Sequence, residues 1–89
     1  MAASKACVSE WFDRGIGQGA THLLVVCDTF DHEDYPVFAH GDPAALERYD
    51  ALDGKNMQRV MEVYDLRDDK DGQLNQRRAM RLPRRSDDA

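Results

Sequence analysis

The segment Thr21-His22-Leu23-Leu24-Val25-Val26-Cys27 constrains this chain more than any other. It is apolar, β-branched and too short for an ordinary helix, so it predicts a central strand buried on both faces. Such a strand needs a packed layer on each side, and 89 residues supply one hydrophobic core and no second domain. With 42% hydrophobic and 33% charged residues, the apolar ones clustered, the composition is that of a globular chain rather than a disordered one.

The flanking elements follow from periodicity and punctuation. Ser4 is placed to cap a helix whose Val8, Trp11, Phe12 and Ile16 recur at spacings of three and four, and Gly15, Gly17 and Gly19 are expected to end it. Tyr35-Pro36-Val37-Phe38-Ala39 reads as a second strand in a hairpin with the first, with Pro36 placing it at a sheet edge or at its own start. Gly41-Asp42-Pro43 announces a helix with Asp42 as cap and Pro43 at the first helical position, running from Ala44 to about Ala51 and closed by Asp53-Gly54.

Residues 57–66 fit two patterns. Met57, Val60, Met61 and Tyr64 make a helical stripe, whereas Val60, Glu62, Tyr64 and Leu66 make one side of a strand. A strand at about 59–66 is the reading adopted, because two strands alone form a marginal sheet; the alternative leaves a hairpin with helices. A polar helix from Asp71 to about Met80 is expected to stop at Pro83. The expected fold is a small single α+β domain over residues 1–82, in the order α-β-β-α-β-α. Its sheet of two to three strands is mostly antiparallel and packed with helices, and a disordered tail follows at 83–89.

The net charge of −5 divides unevenly, with residues 1–66 carrying −7 and residues 67–89 carrying +2. An acidic body repels phosphate backbones and attracts basic surfaces, so nucleic acid is disfavoured and a protein partner with a basic surface is expected. The longest apolar run, Leu23 to Cys27, is far below the roughly 18 residues of a membrane span. Without an export signal, and with Cys27 inside the most apolar segment as a small hydrophobe, the two cysteines read as reduced thiols of a cytoplasmic protein.

The acidic loop Asp28-Thr29-Phe30-Asp31-His32-Glu33-Asp34 is the leading site. As a partner-binding surface it offers Asp28, Asp31, Glu33 and Asp34, with Phe30 and Tyr35 as apolar anchors. As a divalent metal site it would use Asp28, Asp31, His32, Asp34 and His40, oxygen-rich ligands suited to Mg²⁺ or Mn²⁺, although the spacing matches no metal motif. The plainer explanation is a solvated hairpin loop whose Asp residues serve turn chemistry, with no cofactor at all.

Other motifs fail on inspection. A strand followed by Asp28-x-x-Asp31 lacks the Asp-x-Asp spacing of haloacid-dehalogenase-type phosphotransfer enzymes. Gly15-x-Gly17-x-Gly19 follows a helix, the reverse of a dinucleotide fingerprint. Asp69-x-Asp71-Gly72 puts arginines, Arg67 and Arg78, at two ligand positions of a calcium loop. Cys27 is expected buried and inert, and His22 structural, so nucleophilic catalysis is unsupported. Arg77, Arg78, Arg81, Arg84 and Arg85 form a basic stripe that could track phosphate, but it is diluted by acids and lacks stacking aromatics.

The stretches from Gly19 to Asp31, Asp34-Tyr35-Pro36-Val37 and Asn56 to Leu66 resemble those of small uncharacterised proteins predicted in bacterial and phage genomes. The resemblance covers most of residues 8–80 and implies a compact bacterial or phage cytoplasmic domain. It carries over no catalytic residue. The functional expectation is therefore a small non-enzymatic binding or regulatory module, with self-association through the edge strand Tyr35 to Ala39 also open. A metal-dependent enzyme or ligand-binding domain is the alternative, and nucleic-acid contact through the C-terminal arginines a weaker one.

Overall fold

The computed structural model describes residues 4–83. Three helices and a three-stranded antiparallel sheet follow one another as α1 (Lys5–Gly17), β1 (His22–Asp28), β2 (Glu33–Ala39), α2 (Asp42–Leu52), β3 (Gln58–Asp65) and α3 (Lys70–Leu74). The expected α-β-β-α-β-α order is the observed one. The sheet order is β2-β1-β3, so the apolar segment at 22–28 is the central strand.

That strand alternates between two cores, as a period of two dictates. Leu23 and Val25 pack with Val8 and Phe12 of α1 and with Tyr64, and the Phe12 and Tyr64 rings meet edge to face at 6.2 Å. Leu24 and Val26 pack with Ala45 of α2 and with Val60 and Val63. All four β1 side chains are at most 1% exposed.

A bulge in β3 explains the mixed signal of residues 57–66. The register of β3 on β1 shifts between Val25 and Val26, which face Glu62 and Val60, leaving Met61 as the extra residue. Val60 and Val63 consequently share the α2 face although they are three apart, a spacing that imitates a helix. The expected single side of Val60, Glu62, Tyr64 and Leu66 is thereby corrected. Tyr64 and Leu66 lie in the α1 core and Val60 in the other.

Three boundary expectations also change. Ser4 does cap α1, accepting from the Cys7 N–H at 3.2 Å, but Gly15 lies inside the helix. A Cβ on Gly15 would stand 2.5 Å from Leu66 Cδ1 and 3.0 Å from the Phe38 ring, so this glycine permits close helix–sheet approach rather than ending the helix. The cap residue of α2 is Gly41, at φ 107° and ψ 155°, a conformation reserved for glycine, and Asp42 begins the helix with its carboxylate free for other bonds.

The expected helix from Asp71 to Met80 is only the five-residue α3. Beyond it the chain extends along β3, where the Val63 N–H donates to Ala79 O at 3.0 Å and the Arg81 N–H donates to Val63 O at 2.9 Å. Tertiary pairing of an otherwise open strand edge overrides the local helical preference. The expected tail at 83–89 lies, from residue 84 onward, outside the described residues.

Candidate functional site

The sheet has two chemically distinct ends. The far end carries the 28–34 loop. Asp28 Oδ1 accepts from the Phe30 N–H at 2.9 Å and the Asp31 N–H at 3.4 Å, an Asx turn, and the His32 N–H donates to Asp28 O at 2.6 Å. His32 itself adopts φ 59°. Thr29 then fastens this loop to the start of β3, its N–H and its hydroxyl both donating to Met57 O at 2.8 and 2.7 Å.

This fastening joins the two segments that carry the most exposed large apolar side chains among the described residues. Phe30 is 71% and Met57 60% exposed. Asn56 and Met57 occupy the left-handed region at φ 53° and 60°, which is unusual for methionine and holds its side chain out of the core. Asp31 and Glu33 are exposed next to Phe30 in the loop, and Asp28 and Asp34 are half-buried. Tyr35 has a different place. It packs on the Leu24–Val26 core and its hydroxyl accepts from Gln58 Nε2, so it supports the loop from behind.

The five residues of the expected metal set do not converge. Ala39 pairs with His22 and Glu33 with Asp28, so His40 sits at the opposite end of the hairpin from Asp28, Asp31 and His32. Among the described residues no group of three His, Cys, Asp or Glu side chains is arranged to hold a metal ion. Cys27, expected buried, is half-buried beside Asp34, and burial followed by the Asp34 hydrogen bond pushes its thiol pKa up. His22 lies at the other end of β1 from it.

Two members of the basic stripe, Arg78 and Arg81, are engaged within the fold. Arg78 donates to the carbonyls of Met61 and Val60 at 2.7 and 3.3 Å, and Arg81 pairs with Asp68 at 3.2 Å. Arg77 is exposed, and Arg84 and Arg85 lie outside the described residues.

The near end holds a site that the sequence reading missed. His22, 1% exposed, opens β1 and forms the floor of an open cleft of about 520 Å³. Its Nδ1 lies 2.8 Å from Thr21 Oγ1 and its Nε2 lies 3.9 Å from Asp42 Oδ1. Arg67 spans the wall, bonding Asp42 Oδ1 at 2.9 Å and Asp65 at 3.0 and 3.1 Å. Asp68, Met80, Arg81, Leu82 and Pro83 complete the lining.

Burial lowers the His22 pKa, against the nearby Asp65 carboxylate, while Arg67 acts with burial. Burial alone would raise Asp65, but hydrogen bonds from Arg67 hold it below the ordinary value. The residues involved span positions 22 to 83 with no shared motif; a histidine at the mouth of the central strand was the one available signal.

Comparison with family models, with curated proteins and with solved structures finds no match to this chain. No helix among the described residues is long and apolar enough to cross a membrane.

Proposed function

We propose that this chain is a small non-enzymatic binding or regulatory module of the cytoplasm, whose far end meets a basic protein surface containing an apolar socket. The observation that carries this reading is the exposure of Phe30 and Met57, on two segments that the Thr29 bonds join, with Asp31 and Glu33 exposed next to Phe30 in the loop. An aromatic anchor within a charged rim is how compact interfaces concentrate affinity, and the acidic rim steers a basic partner. The turn bonds at Asp28 fix the loop that displays Phe30.

The test is co-precipitation from lysate with nuclease present, comparing the natural chain with Phe30→Ala, Asp31→Lys and Asp28→Ala. Phe30→Ala and Asp31→Lys should lose the same partner while circular dichroism and melting stay unchanged. A partner retained equally by both variants sinks the proposal.

A further inference from the structure

Both ring nitrogens of His22 lead to the start of α2. Nδ1 lies 2.8 Å from Thr21 Oγ1, which also accepts from the Gly41 N–H at 2.7 Å, and Nε2 lies 3.9 Å from Asp42 Oδ1. In the neutral ring Nε2 carries the proton, because its neighbour is a carboxylate, and the Thr21 hydroxyl donates to Nδ1. A second proton, on Nδ1, leaves no group unpaired. The Thr21 oxygen accepts it, and the hydroxyl turns its own proton to Ala39 O, 3.3 Å away. The buried imidazole therefore has an oxygen for each N–H in its charged state as well.

Asp42 Oδ1 is at the same time the acceptor of Arg67 Nη2 at 2.9 Å. Arg67 cannot follow a displacement of Asp42. Its Nε, its Nη2 and its own N–H all donate to Asp65, at 3.0, 3.1 and 2.9 Å. Closing the gap between imidazolium and carboxylate from 3.9 Å to the roughly 2.8 Å of a charge-assisted bond moves Asp42 toward β1 and away from the guanidinium.

We infer that His22 is a proton-driven switch in which Asp42 leaves Arg67 for the charged ring. The tie between α2 and the end of β3 is then exchanged for one between α2 and β1, and Arg67 Nη2 turns a released N–H to the cleft. The groups facing the ring are Asp42 from α2 and Asp65 and Arg67 at the end of β3, while Asp68 and Arg81 complete the charged lining of the cleft. Burial opposes the charged ring most strongly, Asp65 favours it, Arg67 opposes it and Asp42 favours it, so the exchange sets in below the ordinary value of 6.5. This switch is independent of the docking proposed at the far end.

The experiment follows the natural chain by NMR from about pH 7.5 to about pH 5, recording the His22 ring nitrogens and the Asp42 side-chain carboxyl carbon, with crystal structures at both ends of the range. Expected are the Nε2–H tautomer at the upper end, a His22 midpoint below 6.5, and an Asp42 carboxyl shift with that same midpoint. The low-pH crystal should show Nε2 within hydrogen-bond distance of Asp42 and Arg67 bonded to Asp65 without Asp42. Asp42→Asn should lower the His22 midpoint by about half a pH unit, as loss of a half-exposed opposite charge does. The inference is overturned by a ring that stays neutral throughout, an Asp42 carbon that ignores the His22 midpoint, or an unchanged midpoint in Asp42→Asn. Arg67 still bonded to Asp42 beside a charged ring overturns it equally.

Discussion

Arg78 Nε donates to the carbonyl oxygen of Met61 at 2.7 Å, closing the one residue of β3 that the bulge leaves without a strand partner. This contact belongs to a continuous cover along the outer edge of β3. The Gln73 amide holds Asp65 N and O, the 79–81 backbone holds Val63, and Arg78 holds Met61 and Val60. Arg78→Ala should therefore destabilise the fold by about 1–2 kcal/mol, through carbonyls returned to water without a fixed donor. Urea denaturation measures this. A change near zero would show that solvent serves the edge as well.

Gln73 is fully buried, accepting from the Asp65 N–H at 2.8 Å and donating to Asp65 O and Asp69 O at 2.8 and 3.0 Å. Gln73→Leu fills the same space but strands the Asp65 N–H, while the Asp65 and Asp69 carbonyls keep the Asp68 and Gln73 N–H donors at 3.1 and 3.3 Å. The expected loss is about 1–3 kcal/mol, and the amide of Asp65 should lose hydrogen-exchange protection.

Gly15→Ala sets helix propensity against packing. Propensity favours alanine by about 1 kcal/mol, yet the new methyl meets Leu66 and Phe38, and overpacking of a filled core typically costs about 1–3 kcal/mol. Net destabilisation is expected in thermal melts. A raised Tm would show that the α1–sheet spacing yields freely.

Stability should fall on mild acidification because of His22. Its folded-state pKa is lowered by burial, so below the ordinary value of 6.5 the unfolded chain binds the proton more readily than the folded one. The contribution is complete above that pH and is lost as pH falls toward the folded-state value. Asp65 adds a second loss below its ordinary value of 3.8, where protonation abolishes the Arg67 bonds. Denaturation midpoints at about pH 8 and about pH 5.5 should differ in the natural chain and converge in His22→Gln. Parallel midpoints in both chains would assign the acid sensitivity elsewhere.

Phe30→Ala should change stability by no more than about 0.5 kcal/mol, since the side chain is 71% exposed. The same substitution removes the anchor of the proposed interface. Unfolding by that variant would place Phe30 in the core instead.

The central strand, the hairpin and the element order were legible because each rests on local signals: an apolar run, a turn-rich loop and a Gly-Asp-Pro start. The bulge at Met61 was not, because one inserted residue gives Val60 and Val63 a helical spacing within a strand. The end of α3 was hidden for a different reason. Residues 75–80 look helical by composition, and only the open edge of β3, a tertiary fact, turns the chain away and pairs the 79–81 backbone with Val63. The near-end cleft is likewise tertiary: His22, Asp42 and Arg67 meet only after β1, α2 and β3 have converged.

The two edges of the sheet are guarded by different means. Hydrogen bonding alternates along β1, so Pro36 of β2 points its nitrogen outward, and the outer edge there lacks a donor at its midpoint. That protection is covalent and present as soon as the residue is synthesised. Protection of β3 arrives later than the strand itself, because Arg78 and residues 79–81 are synthesised after the whole sheet. For a nascent chain ending short of Arg78, the Val60 and Met61 carbonyls and the Val63 edge are a template for mispairing, so C-terminal truncation should show first as aggregation during synthesis.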